Sequence, residues 1–276
     1  MSWADEVKCL GLIAGKGLYP RLVLDEVRKC PGIRVVVAAF EGETAPEIAQ
    51  AGDAFQWMRI GQLGALLKFF QANGATHAMM AGQITPKRLF DLRPDFKALM
   101  LLARMKKRNA ETLFGAVGGA LDGVGIPLLP ATAFLDDHLA TEGWMAGPEL
   151  NKKQLADVEF GWPLAKQVSA MDIGQTIVVK KGTVLAVEAY EGTNDTIRRG
   201  GSLGGKGATL IKVSKPNQDM RFDVPVLGPD TIRVAAEAGV SAVVCEARKT
   251  LLLGGEELRQ LAHLHQVTVW GRKGSE

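Results

Sequence analysis

Between residues 8 and 132, short apolar runs alternate with segments of helical period, and this alternation limits the possible folds more than any other feature of the chain. KCLGLIAG (8–15) is an apolar run ending in glycine, and LYPRLVLDEVRKC (18–30) takes up helical spacing after a first-turn proline. IRVVVAAF (33–40), AFQWMRI (54–60) and THAMMAG (76–82) read as strands, with a helix at LGALLKFFQANG (63–74) that ends on Asn-Gly. A further helix at 110–125 leads into IPLLPAT (126–132), again a strand. Strands covered on both faces by crossover helices carry continuous apolar runs, so residues 1–135 are expected to form an N-terminal Rossmann-like parallel sheet domain.

DDHLATEGWMAGPELN (136–151) breaks the rhythm and is expected to be a linker. Residues 152–276 then read as a smaller mixed α/β C-terminal domain. It opens with a helix at 152–170 and a hairpin in TIVVKKGTVLAVEAY (176–190) about a Lys-Gly turn. Strands at 208–214, 241–247 and 267–271 alternate with helices from Pro229 and at 255–265. RRGGSLGGKGA (198–208), with five glycines in eleven residues, is expected to be a mobile, phosphate-accessible loop.

A chain of 276 residues, 47% hydrophobic and 23% charged, suits two modest globular domains. Cys9, Cys30 and Cys245 are odd in number and lack paired spacing, which suits a reducing compartment better than a disulfide framework. No stretch approaches the roughly 18 to 20 apolar residues of a membrane span, so a cytoplasmic location is expected. The net charge of +3 is unevenly spread. Residues 85–111 carry eight Lys/Arg against three Asp/Glu, and residues 180–223 carry eight against five, which leaves the rest of the chain acidic. Charge runs are usually solvated faces, but both islands contain loop-forming prolines, and together they point to an anionic ligand.

GLIAGKGLYP places Gly15, Lys16 and Gly17 at a strand-to-helix turn, where backbone amides and the helix dipole favour an anion. It matches neither the dinucleotide fingerprint nor a Walker A loop, and a tight turn without a ligand is an equal reading. Cys245 lies in a buried-strand pattern, and His77, His263 and His265 make no zinc spacing, so neither thiol nor structural-zinc chemistry is expected. The remaining candidates use oxygen chemistry. Glu188, Glu191, Asp195, Asp219 and Asp223 lie among Arg198, Arg199, Lys206, Lys212, Lys215 and Arg221. Carboxylates suit a hard cation such as Mg²⁺, and Lys and Arg suit phosphate, the two sets needed to hydrolyse a phosphoanhydride. Internal salt bridges explain the same composition. No nucleic-acid partner is expected, because Tyr190 and Phe222 are the only aromatics in 180–223 available for base stacking.

LGLIAGKGLYPRLV, MAGQITP (80–86), DIGQTIVVKKGTVLAVEAYEGTNDTIRR (172–199) and KVSKPNQDMRFDVPVLGPDTI (212–232) resemble successive motifs of the LpxI-type UDP-2,3-diacylglucosamine pyrophosphatases of lipid A biosynthesis. The resemblance spans nearly the whole chain and implies a two-domain, metal-dependent hydrolase of a Gram-negative bacterium with the ligand between its domains. The reaction it implies is the conversion of UDP-2,3-diacylglucosamine and water into 2,3-diacylglucosamine 1-phosphate (lipid X) and UMP. The family's essential aspartate falls on Asp223, and its Glu-Gly-Thr segment on Glu191 to Thr193. Asn194 stands where an acidic residue is expected, with Asp195 one place later.

On this basis Asp223 is the central acidic residue, with Glu188 or Glu191 as a second contact to Mg²⁺ or Mn²⁺. Lys215, Arg221, Arg199 and Arg198 are expected to neutralise the diphosphate beside Thr193, and the Gly15-Lys16-Gly17 turn and Gln83 to hold the nucleotide side. A homodimer and peripheral attachment to the inner membrane are further expectations. In PDFKALMLLARMKKR (94–108), Phe96, Leu99, Met100 and Ala103 share helical spacing, with Arg104, Lys106, Lys107 and Arg108 at the end. Such a stripe more often packs into its own core, but beside a lipid-handling site the cations suit anionic lipid. The rival reading of the chain is a non-catalytic sugar-nucleotide-binding protein.

Overall fold

The first four apolar runs become β1 (Cys9–Ala14), β2 (Arg34–Phe40), β3 (Ala54–Met58) and β4 (His77–Ala81). They were located in a computed structural model that describes residues 3–85, 94–105 and 110–274, without the side chains of Arg104 and Ala110. All pairings are parallel, in the order β3-β2-β1-β4, with Leu10 of β1 facing Val35 of β2 and His77 of β4. Strand order therefore reverses at β1/β4, and ligands of such sheets bind beyond the C-terminal strand ends at the reversal. The helices are α1 (Trp3–Glu6), α2 (Tyr19–Val27), α3 (Pro46–Gln50), α4 (Leu63–Ala72), α5 (Phe96–Arg104) and α6 (Ala110–Asp122). Phe70 of α4 is fully buried against Gly11 of β1, where a Cβ would come within 2.7 Å of its ring. The expected strand at 126–132 is reduced to a single parallel bridge between Leu128 and Ala78. Pro127 and Pro130 deny that segment two ladder donors.

Two compact units divide the chain, the first comprising residues 1–136 with 219–223, the second 137–218 with 224–276. Residues 136–151, expected to link domains, instead contain a 3-10 turn at Asp136–His138 and strand β5 (Gly143–Ala146). The second unit also contains α7 (Lys152–Ala170), β6 (Thr176–Lys180), β7 (Thr183–Val187), α8 (Thr193–Gly204), β8 (Ala208–Lys212), β9 (Val226–Leu227), α9 (Pro229–Glu237), β10 (Val240–Glu246), β11 (Leu251–Leu252), α10 (Gly255–Leu264) and β12 (Thr268–Arg272). Its main sheet runs β5-β12-β10-β8-β6-β7, six strands against four in the first unit, so it is not the smaller sheet. β12, β10 and β8 are parallel, and β5, β6 and β7 join antiparallel. Period-two alternation assigns its faces. Ile177, Val179, Ile211, Val213 and Val244 pack with Val158 and Trp162 of α7, while Val178, Leu210, Val243 and Cys245 join the opposite core with Ile197 of α8 and Ile232 of α9. The hairpin turn at Lys181 and Gly182 has positive φ at both residues (50° and 69°), matching the twist of β6 and β7.

The glycine-rich stretch is not the mobile loop expected from its composition, because residues through Gly204 form α8. A Cβ on Gly200 would approach Val178 to 2.5 Å, one on Gly201 would strike the carbonyl of Ala238, and one on Gly204 would strike Leu185. These glycines allow the helix backbone to lie directly on its neighbours.

Candidate functional site

In the first unit, the 15–17 turn lies beyond β1 and is joined to the chain leaving β4 by a bridge between Lys16 and Gln83. The amide of Gly15 donates to the carbonyl of Ala81 (2.8 Å) and that of Lys16 to Gln83 (2.8 Å). Gly15 is required because a Cβ would come within 2.5 Å of the Gln83 carbonyl oxygen, so its absent side chain lets the two chain segments pack. Gly17 differs, with φ at +88° and open space where a side chain would stand. Lys16 Nζ donates to Thr85 Oγ1 (2.7 Å) and stands 3.5 Å from Glu43 Oε2. The same carboxylate oxygen accepts from both the amide and the hydroxyl of Thr85, each at 3.1 Å. The Gln83 side chain is exposed.

The segment 219–223 belongs to the first unit and carries Asp223 on a tight turn whose amides at Phe222 and Asp223 both donate to the Asp219 carbonyl. Arg221 donates to the Asp219 carboxylate through its amide, Nε and Nη2, and its Nη1 lies 3.8 Å from Asp122 at the end of α6. The hydrogen bonds from the Arg221 side chain hold the Asp219 carboxyl below the ordinary aspartate range. Phe222 packs on Phe114 of α6 with ring centroids 6.0 Å apart, and the Met220 carbonyl accepts from the Ala131 amide at 2.7 Å. Asp223 is half-buried on this platform.

In the second unit, buried Glu188 follows β7, Thr193 opens α8 and buried Lys212 ends β8. Lys212 Nζ donates to Thr193 Oγ1 (2.9 Å), which donates to Glu188 Oε1 (2.8 Å). Glu188 Oε2 is buried with no hydrogen-bond partner among the described residues. Glu191 is differently placed: its carboxylate accepts from Arg199, from Thr196 and from the Ala189 amide. Its own amide, followed by the Arg199 guanidinium, holds its carboxyl below the usual range. Arg199 also donates to the Val187 carbonyl, Arg198 pairs with Asp195 one turn back on α8, and Lys215 pairs with Asp172. Each expected phosphate-binding cation thus has a carboxylate partner: Lys16 with Glu43, Arg198 with Asp195, Arg199 with Glu191, Lys215 with Asp172 and Arg221 with Asp219. The more exposed pairs, Arg198 with Asp195 and Arg199 with Glu191, contribute only about 0–1 kcal/mol, so a phosphate can exchange with their carboxylates at little cost, whereas the Glu43 side chain beside Lys16 is buried.

A second cluster was not anticipated from sequence. Glu246, fully buried at the end of β10, accepts at Oε2 from Lys166 Nζ (2.6 Å), the Ser214 amide (2.9 Å) and the Ser214 hydroxyl (2.7 Å), with Lys249 Nζ 3.2 Å from Oε1. Burial works to raise this carboxyl, but Lys166 and Ser214 outweigh it and hold it below the ordinary glutamate range. The signal was an acid closing an otherwise apolar strand pattern, SAVVCE. Burial pushes the neighbouring Cys245 thiol up to about 12, in keeping with its expected packing role.

Among the described residues there is no group of three or more His, Cys, Asp or Glu able to hold a metal. Mg²⁺ keeps several waters and needs only one or two protein carboxylates when phosphate oxygens complete its shell. The unpartnered oxygen of Glu188 fits that donor chemistry, whereas Glu191 is already engaged. The parts of the first basic island at 86–93 and 106–109 lie outside the described residues.

The family model described as the LpxI N-terminal domain matches residues 9–138, and that of the LpxI C-terminal domain matches residues 141–270. A UDP-2,3-diacylglucosamine pyrophosphatase LpxI of Caulobacter vibrioides is 29% identical over 258 residues, covering 90% of this chain and 91% of that protein. Among solved structures, the biotin carboxylase domain of the Hydrogenobacter thermophilus 2-oxoglutarate carboxylase aligns at 15% identity with a TM-score of 0.27. The alignment covers 64% of this chain and only 36% of that one, and the likeness is too slight to describe this fold.

Proposed function

Because this chain belongs to the LpxI family, we propose that it hydrolyses the diphosphate of UDP-2,3-diacylglucosamine, yielding 2,3-diacylglucosamine 1-phosphate (lipid X) and UMP in lipid A biosynthesis. The observation that carries this reading is the end-to-end match to a relative named for that activity. One water adds across the P–O–P bridge: a new P–O bond forms at one phosphorus, and the other phosphate leaves with the bridging oxygen. Asp223 orients that water or contributes a carboxylate to a divalent cation, Mg²⁺ or Mn²⁺, whose chemistry is to offset charge on the phosphate oxygens. Glu188 is the further carboxylate suited to such a cation. Arg199, Arg198, Lys215 and Arg221 meet the diphosphate by exchanging their carboxylate partners for phosphate, which Arg binds in a forked geometry. Thr193 contributes its hydroxyl, and the Gly17 turn with Lys16 and Gln83 takes the nucleotide side.

No helix among the described residues is long and apolar enough to cross a membrane. In the same proposal the protein is a cytoplasmic homodimer that visits the inner-membrane surface to reach its lipid-linked substrate. The test is incubation of the purified protein with UDP-2,3-diacylglucosamine and Mg²⁺ or Mn²⁺ in ¹⁸O-labelled water. Lipid X and UMP should form in equal amounts, dependent on the cation, and the labelled product identifies the phosphorus attacked. Binding of the substrate without turnover under any cation would instead establish a non-catalytic sugar-nucleotide-binding protein.

A further inference from the structure

Helix α5 presents its apolar stripe outward. Phe96, Leu99 and Met100 are 75%, 55% and 45% exposed, and Ala103 extends the same face at helical spacing. The opposite face holds the helix in place, with Ala98 buried and Leu101 packed on the core of the first unit. Its orientation is fixed by Asp95, which serves two helix starts at once. Oδ1 accepts from the Ala98 amide (2.9 Å), capping α5, while Oδ2 accepts from the Gly64 and Ala65 amides (2.6 and 3.3 Å) at the start of α4. Beside the stripe, Leu63, Leu67, Met100, Leu101 and Ala120 line a shallow apolar groove of about 200 Å³, with Lys97 at its edge.

We propose that this face is a membrane-docking surface: Phe96, Leu99 and Met100 enter the headgroup boundary of an anionic bilayer, to which the basic sequence of the same stretch is attracted. The proposal rests on the reading of the substrate as a lipid. Charge favours a bilayer over a second copy of the chain. The sequence from 94 to 108 contains Lys97, Arg104, Lys106, Lys107 and Arg108 against the single acid Asp95, whose carboxylate is already engaged by three amides. Two copies meeting on this face would bring like charges together, whereas anionic lipid complements them. An exposed apolar stripe within a basic stretch of sequence suits a helix lying in an interface plane.

The test is sedimentation of the full-length protein, without substrate, on vesicles of phosphatidylcholine containing about one-third phosphatidylglycerol. Binding at low salt that weakens as salt rises is expected. Replacing Phe96→Gln and Leu99→Gln together keeps charge and helix propensity at two exposed positions, yet should weaken vesicle binding at least about tenfold. Lys106→Glu with Lys107→Glu should weaken it as well. Both variants should hydrolyse detergent-dispersed substrate within about twofold of wild type. Wild-type protein that stays in the supernatant at low salt, or glutamine variants that sediment like wild type, would overturn the proposal. Conversion of a dimer to a monomer by the glutamine pair would identify the face as a contact between copies and overturn it equally. Failure of wild type to hydrolyse dispersed substrate would remove the lipid-hydrolase reading separately, since sedimentation requires no turnover.

Discussion

Each unit holds a hydroxyl-bearing residue on the same small device, built once wet and once dry. In the first, Glu43 accepts the amide and hydroxyl of Thr85, directly before Pro86, with Lys16 alongside at 3.5 Å. In the second, Glu246 accepts the amide and hydroxyl of Ser214, just before Lys215-Pro216, with Lys166 at 2.6 Å. Lys16 keeps 46% of its side chain exposed and Lys166 only 20%, so the second version has less access to compensating water. An ionic contact gains strength as water is withdrawn, and so does the penalty for breaking it. The drier anchor roots the chain that leads to Asp223.

The sharpest way to test that asymmetry is chemical. If the loop rooted at Ser214 carries the reaction, Asp223→Asn should lower kcat about 10³-fold while leaving ground-state affinity and melting temperature nearly unchanged. Turnover within a few-fold of wild type would remove the distinction between the two anchors. Next in size, Glu246→Gln leaves the largely covered Lys166 beside a neutral partner and should cost about 3 kcal/mol in denaturant titration. The corresponding Glu43→Gln should cost about 1–2 kcal/mol, because water reaches Lys16. Equal costs would refute the wet and dry description.

The smallest effect is in pH. The Glu246 carboxyl is depressed in the folded protein relative to its ordinary value of 4.5. Its stabilisation is therefore complete above that value and is lost as the pH falls through the lower folded-state pKa. Glu246→Gln should flatten that part of the acid limb in a stability titration. An unchanged acid limb would show that other carboxylates govern it.

Helix and strand were legible where a local period decides them. The parallel strands of the first half, the 152–170 helix and the Lys181-Gly182 hairpin agree with the structure to within a few residues. What escaped was set by distant neighbours. Gly200, Gly201 and Gly204 look like a flexible tract in one dimension, but each is small because Val178, Ala238 or Leu185 occupies the space of its Cβ. The candidate site divides the same way. Lys215 and Arg199 could be recognised as cations, yet the partners Asp172 and Glu191 depend on where the chain returns. Glu246 was hidden because an apolar strand pattern gives no sign of the lysine, 80 positions earlier, that makes a buried carboxylate tolerable.

The five residues from Asp219 to Asp223 also bear on how such a chain can be cut and recombined. A fragment ending at residue 136 would lack Phe222 as the neighbour of Phe114 and the Met220 carbonyl as acceptor for Ala131, leaving its unit incomplete. The missing piece is encoded more than 80 codons downstream, inside the sequence of the other unit. Exchange of halves between homologous genes at a single crossover would therefore join an N-terminal unit to another protein's pentapeptide. Functional chimeras should be those in which Phe114, Asp122 and Ala131 travel with their own Met220, Arg221 and Phe222.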